Sequence, residues 1–203
     1  MRYLIGIDEV GRGPLAGPLC VGAVCILERE RLLFKSFFRG VRDSKQLTPN
    51  QRLKWYKLII DSSHVMKNRS LGLRCRVATV FMSESLIDRL GLGRILKMAV
   101  ARVLAKLSVP INESKVLLDG GLKAPSEFLL QKTIIKGDEK EWLIALASIV
   151  AKVRRDHLMS RAAKKYPAYG FEKHKGYGTR DHYNAIRKYG LCKIHRKSFL
   201  KTF

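Results

Sequence analysis

The sequence predicts an α/β fold: a mixed central sheet flanked by helices. Three observations predict it. Two extended runs, residues 3–8 and 19–27, are separated by a turn-rich stretch over 11–18 and read as adjacent antiparallel strands. Two later apolar triplets, Val116-Leu117-Leu118 and Thr133-Ile134-Ile135, run into Asp119-Gly120-Gly121 and Gly137-Asp138 and read as short buried strands. The segments around them carry helical apolar spacing, and such alternation after an opening hairpin puts helices on the faces of a sheet.

The helices can be placed in order. Thr48-Pro49-Asn50-Gln51 reads as a helix start, with Thr as N-cap, Pro at the first position and Gln reaching back. Leu53, Tyr56, Ile59 and Ile60 then form its apolar stripe. Residues 71–80 are strand-like. Residues 85–107 are helical in pattern, with Gly91 and Gly93 weakening the first third. A long helix over about 140–165 follows. Its 143–153 portion is nearly all apolar and so is expected to be buried on several sides.

Composition narrows the function classes. The 203 residues carry 40 Lys and Arg against 17 Asp and Glu, a net charge of +23, with 46% hydrophobic residues. That apolar content excludes a disordered polybasic tail, and the length suits a single domain over residues 1–203. The longest apolar stretch, 19–27, is far short of the roughly 20 residues that cross a bilayer. Asp8 and Glu9 break any signal-like N-terminus, so the expected compartment is the cytoplasm, with no membrane partner. The four cysteines show no C-x-x-C spacing and are expected to be free thiols. The charge calls for a polyanionic partner, for which nucleic acid is the natural choice.

The charge is uneven. Residues 152–203 hold fifteen Lys and Arg against Asp156, Glu172 and Asp181, and four of the five histidines. Tyrosines and phenylalanines are interleaved among them. This pattern suits a phosphate backbone with stacking surfaces, or equally a helical cap whose aromatics pack inward.

In so basic a chain the acids at strand ends stand out: Asp8-Glu9, Asp119 and Asp138. Strand ends in α/β sheets bring distant residues together. Clustered carboxylates repel unless they bind cations, and oxygen-only ligands suit Mg²⁺ or Mn²⁺. Other roles are open to each: Asp138 with Glu141 as a helix capping pair, Asp119 as a turn residue. Asp8 and Glu9 would face opposite ways in a regular strand, unless the strand ends there or Glu9 offers its backbone carbonyl.

The run Gly6-Ile7-Asp8-Glu9-Val10-Gly11-Arg12-Gly13-Pro14-Leu15-Ala16-Gly17-Pro18 resembles the N-terminal signature of the ribonuclease HII family. Further segments match in order: Asp43-Ser44-Lys45, Leu118-Asp119-Gly120, Lys136-Gly137-Asp138, then Ala147-Ser148-Ile149-Val150-Ala151-Lys152-Val153 with Arg155-Asp156. His174-Lys175-Gly176-Tyr177-Gly178-Thr179 and Ile194-His195-Arg196-Lys197-Ser198-Phe199 complete the resemblance, which spans residues 3 to about 199.

The resemblance implies a ribonuclease H-like fold with a basic helical C-terminal extension, about residues 166–203, over the substrate. It implies metal-dependent endonucleolytic cleavage of the RNA strand of RNA–DNA hybrids and 5′ to single ribonucleotides embedded in duplex DNA. Asp8, Glu9, Asp119 and Asp138 would be the catalytic and metal-binding set, with two Mg²⁺ or Mn²⁺ ions during catalysis. Gly11, Arg12 and Gly13 would read the ribose, and Tyr177 would stack on a sugar near the scissile bond. Lys45 and Ser148 would contact phosphates or support groups that do, with Lys152 and Asp156 in supporting roles. Lys152 could instead pair with Asp156 one helical turn on.

Gly91, Gly93 and Leu191-Cys192-Lys193 depart from the family pattern, and the C-terminus lacks the glutamine-led sliding-clamp motif of some relatives. A monomer without that partner is expected. The related ribonuclease HIII family fits less well, because Gly11-Arg12-Gly13 follows the acidic pair and only seven residues precede Asp8. A non-catalytic nucleic-acid-binding protein would need no acids at strand ends.

Overall fold

The computed structural model describes residues 2–41, 47–64 and 75–200. Five strands form one sheet: β1 (Tyr3–Val10), β2 (Leu19–Leu27), β3 (Cys75–Met82), β4 (Ser114–Asp119) and β5 (Leu130–Ile134), in the order β3-β2-β1-β4-β5. β1 and β2 form the expected antiparallel hairpin, and β3 continues it antiparallel to β2. β4 and β5 join on the other side, parallel to β1 and to each other. The sheet is mixed.

The period of two in β1 sorts its side chains between two cores. Tyr3, Ile5 and Ile7 face one side, packed with Leu19, Val21 and Ala23 of β2 beneath α3 (Glu84–Leu90) and α4 (Leu92–Leu107). Leu4 faces the other side, with Val24 and Ile26, under α1 (Arg31–Phe37), α2 (Pro49–His64) and α6 (Trp142–Lys165). Gly6 and Gly22 allow α6 to lie directly on this face, since a Cβ at either would overlap the Leu143 or Ala147 carbonyl. The buried run of α6, Leu143 through Ala151, is the apolar segment expected from the sequence.

A third core forms beyond the sheet. The last turns of α6 supply Met159 and Ala163, which pack with Leu15 and Ala16 of the turn, Tyr169, Phe171, Ile186 and Leu200. Around them lie α7 (Phe171–His174) and α8 (Arg180–Tyr189). With 24 residues, α6 is about 36 Å long and spans both the sheet and this C-terminal region.

Several local expectations hold in detail. Thr48 and Gln51 form a reciprocal capping box, Thr48 N–H donating to Gln51 Oε1 at 2.8 Å and Gln51 N–H to Thr48 Oγ1 at 3.3 Å. Cys20, Cys25, Cys75 and Cys192 are free thiols. Burial pushes the first three thiols up to about 12, and at Cys75 the neighbouring Cys25 adds to the shift.

The long helix expected over about 140–165 is the unbroken α6, preceded by a separate short helix, α5 (Gly137–Lys140), with extended Glu141 between them. Two expectations need correction. The helix expected over 85–107 is two helices, because Gly91 adopts φ +75° and closes α3 before α4 begins. The strand expected to be buried at 133–135 is instead the exposed sheet edge, with Leu130 50% and Ile135 74% accessible. An apolar triplet does not distinguish an edge strand from a central one.

Candidate active site

The acidic cluster follows from strand register. Ile7 of β1 lies opposite Leu118 of parallel β4, so Asp8 and Asp119 come one step later, at the same end and on the same face. Asp138 reaches them from the first turn of α5, just after β5. One carboxylate oxygen from each of Asp8, Asp119 and Asp138 lies within 4.8 Å of the others. The backbone orients two of the three: Glu9 N–H donates to Asp8 Oδ1 at 2.7 Å and Gly137 N–H to Asp119 Oδ1 at 2.6 Å. Asp8 also accepts a hydrogen bond from the Ser148 hydroxyl of α6, the helix that the glycine-lined face brings close.

Glu9 is placed differently. The strand continues to Val10, so its carboxylate does not join the three-acid cluster. It borders the same cleft, where Oε1 accepts from Arg12 Nη1 at 3.4 Å and the buried Oε2 has no hydrogen-bond partner.

Two of these acids, Asp8 and Glu9, are costly as anions. Burial, the neighbouring charge of Glu9 and that of Asp119 hold the Asp8 carboxyl well above the usual carboxylate range, against the Ser148 hydrogen bond. Burial and Asp119 push Glu9 up to about 7, although Arg12 opposes the shift. An orphaned buried carboxylate oxygen beside three converging carboxylates is the donor chemistry of a hard divalent cation. The residues present therefore fit Mg²⁺ or Mn²⁺.

A cleft of about 480 Å³ opens over this cluster. Asp8, Glu9 and Asp119 line it together with Gly11, Arg12, Gly13, Lys152 and Tyr177. Asp138 is buried below and faces a second cavity beside Glu139 and Glu141. The capping role considered for Asp138 and Glu141 is not adopted: the Glu141 side chain caps nothing, and its buried Oε1 lacks a partner. Lys152 and Asp156 pair at 2.9 Å along α6, which puts the lysine at the cleft and leaves Asp156 outside the acidic cluster. Lys45 lies outside the described residues.

Tyr177 is 41% exposed, with Arg155 Cζ 5.8 Å from its ring centroid. Its loop is held by a chain of neutral imidazoles whose tautomers follow from the bonds. Cys192 N–H donates to His195 Nδ1 at 2.9 Å, His195 Nε2 to His182 Nε2 at 3.1 Å, and His182 Nδ1 to the Tyr177 carbonyl at 2.9 Å. Burial and the neighbouring histidines lower His182 to about 4, and burial lowers His195 as well.

Sequence reasoning missed Arg52, which lines the cleft from α2. Its signal was faint, since it immediately precedes the apolar stripe and reads as a solvated face. It also gave no role to Arg155 and Arg196, both fully buried.

The profile of the ribonuclease HII family matches residues 5–202. A ribonuclease HII of Caldicellulosiruptor bescii is 40% identical over 201 residues, covering 99% of this chain and 88% of the relative. One of Chlamydia abortus is 45% identical over 196 residues, covering 97% and 83%. Among solved structures, the ribonuclease HII of Archaeoglobus fulgidus, determined in complex with PCNA, superposes with a TM-score of 0.73 at 25% identity, covering 96% of this chain and 93% of that one. The mixed sheet with its flanking helices is thus the ribonuclease H-like fold expected from the sequence. No described helix is long and apolar enough to cross a membrane. A family profile matched over nearly the whole chain, relatives 40–45% identical and a matching fold lead to one conclusion: the chain belongs to the ribonuclease HII family, hydrolases that act as endoribonucleases on RNA–DNA hybrids.

Proposed function

We propose that the protein is a metal-dependent endoribonuclease that cuts hybrids and also incises 5′ to a single ribonucleotide embedded in duplex DNA. One observation carries this reading: the three-acid cluster, the Gly11-Arg12-Gly13 turn and Tyr177 meet at one cleft. Asp8, Asp119 and Asp138 would hold Mg²⁺ or Mn²⁺, with Glu9 contributing from the cleft wall. A pair of such ions held there would supply water activation and charge neutralisation for phosphodiester hydrolysis, which would leave 3′-hydroxyl and 5′-phosphate ends.

The chain's own residues supply selection and placement. A 2′-hydroxyl alone distinguishes RNA from DNA at one position, and it can both donate and accept. Gly13, with open space where a Cβ would stand, lets the turn's backbone come close to it, while Gly11 makes room for the Arg155 side chain. Tyr177, half-exposed on the opposite loop, offers its face to a sugar lacking the 2′-oxygen, which marks an RNA–DNA junction. Lys152, steadied by Asp156, and Arg52 offer positive charge to the phosphates. Ser148 orients the Asp8 carboxylate. The basic C-terminal region, from about residue 166, would close over the duplex within the single domain.

Cleavage of duplexes with one, four or no ribonucleotides, with and without Mg²⁺, tests the reading. The expected result is Mg²⁺-dependent cutting of the first two alone. Binding without a cut on any substrate, with Mg²⁺ or Mn²⁺ present, would refute it.

A further inference from the structure

Arg155 on α6 and Arg196 near the C-terminus are fully buried cations, and neither forms an ion pair among the described residues. Their partners are backbone carbonyls. Arg155 donates from Nε to Pro18 O at 2.9 Å, from Nη2 to Ala16 O at 3.3 Å and from Nη1 to Lys175 O at 3.1 Å. Arg196 donates from Nε and Nη2 to Gly17 O at 2.9 and 2.7 Å, from Nη1 to Arg12 O at 2.9 Å and from Nη2 to Gly11 O at 2.6 Å.

Burying a charge is costly unless hydrogen bonds compensate, and a leucine or methionine would fill such a space without that cost. What a guanidinium alone provides is a rigid fork of five donors, able to fix several carbonyls at once. Here the fixed carbonyls belong to two chain segments only: the turn over residues 11–18 and Lys175, two residues before Tyr177. The packing leaves no slack. Gly11 holds φ +91°, and a Cβ there would overlap the Arg155 side chain. The two segments also touch directly, Leu15 and Ala16 N–H donating to Gly176 O at 2.8 and 3.3 Å.

We propose that Arg155 and Arg196 are positioning residues for ribonucleotide recognition, with a division of labour. Arg196 fixes the ribose-reading turn, whereas Arg155 fixes the distance between that turn and the tyrosine loop. The proposal rests on the reading of the cleft given above. A single ribonucleotide in DNA presents both features at once, the 2′-hydroxyl to the turn and the junction sugar to Tyr177. The interior of a continuous hybrid has no such junction and uses the turn alone. Arg155 therefore determines preference between substrates, and Arg196 determines efficiency on both.

Arg155→Lys and Arg196→Lys test this, because lysine keeps the charge and loses the fork. For each variant and the parent, kcat/KM is measured on a single-ribonucleotide duplex and on a continuous hybrid, well below the separately measured Tm. Misplacing a reacting group by about 1 Å costs on the order of a hundredfold, so partial loosening is expected to lower the single-to-hybrid ratio of Arg155→Lys about tenfold. Arg196→Lys is expected to slow both substrates by similar factors. Equal loss on both substrates in Arg155→Lys, accompanied by a lower Tm, would mean a purely structural role and overturn the proposal. A parent that cuts the hybrid and not the single ribonucleotide would overturn the underlying reading of the cleft, and this proposal with it. If Arg155→Lys does not fold, Arg155→Gln, which retains a planar donor group, carries the same ratio test with the same outcomes.

Discussion

At the carboxyl ends of β1 and β4, Asp8, Asp119 and Asp138 crowd within 4.8 Å, each carried on or beside a paired strand. In the C-terminal region, the Tyr177 loop is suspended from neutral His182 and His195 and from the buried Arg155. Both regions bury ionisable groups, yet they resolve the cost in opposite ways. Asp8 and the adjacent Glu9 hold their protons above the usual range, whereas His182 and His195 are held below theirs and serve as neutral hydrogen-bond links. Burial is the leading cause in both, and its direction depends only on which protonation state carries the charge. On the proposed reading, strands would carry the chemistry, and loops tied by buried side chains would carry the recognition.

The comparison breaks most sharply on chemistry against binding. Asp138→Asn removes a cluster charge and leaves the basic surface intact. Its turnover is expected to fall by a hundredfold or more, on the order of losing a preorganised electrostatic group. Duplex affinity, read by fluorescence anisotropy, should stay near the parent value and weaken steeply with salt in both proteins. Loss of affinity in parallel with turnover would contradict the separation of roles.

The next test concerns how the acids are held. Gly6→Ala should push α6 off the sheet at Leu143, at a cost of about 1–3 kcal/mol of stability, since overpacking against backbone has no easy relief. A thermal melt reads this as a Tm lower by about 2–4 °C per kcal/mol for a chain of this size.

Opposite pH responses distinguish the two regions without disabling either. For metal-free protein, Glu9 is raised from 4.5 to about 7, so the folded state keeps a proton that the unfolded chain releases. Its contribution is complete below pH 4.5 and is lost as pH rises towards 7. His182 is lowered from 6.5 to about 4, so its contribution is complete above pH 6.5 and is lost as pH falls towards 4. Denaturant midpoints of Glu9→Gln and His182→Gln across pH 4–8 should each flatten one side of the parent's profile. Mg²⁺ should raise the midpoint more at pH 8 than at pH 5, because the ligands must be ionised to bind it.

The smallest effect is expected at the latch between α3 and the C-terminal segment. Asp88 accepts from Lys197 N–H, Ser198 N–H and the Ser198 hydroxyl, which together hold its carboxyl below the usual range. Asp88→Asn keeps one acceptor and should cost about 1 kcal/mol, measured by chemical denaturation, with cleavage nearly unchanged.

Much of this was legible in the chain itself. Strand alternation and turn residues indicated the β1–β2 hairpin, and the Thr48–Gln51 box is written in four consecutive residues, because both depend on local geometry alone. The acids at strand ends were visible because they interrupt apolar runs in a basic protein. Sequence could not show that Glu9 leaves the cluster, since that depends on β1 continuing to Val10 in register with Cys20. Nor could it show that β5 is an exposed edge, because the same residues would serve in the middle of a sheet. The resemblance in residues 6–18 located the turn, but nothing local marks Arg155 and Arg196 as its supports. Arg155 lies 137 positions from Pro18, and Arg196 lies 179 from Gly17. Local propensity and chemistry are properties of neighbouring residues, so the sequence determined the elements and the acids they carry. Register, burial and long-range hydrogen bonds arise only when separated segments meet, so the tertiary structure alone decided which carboxylates converge and which arginines hold the turn beside them.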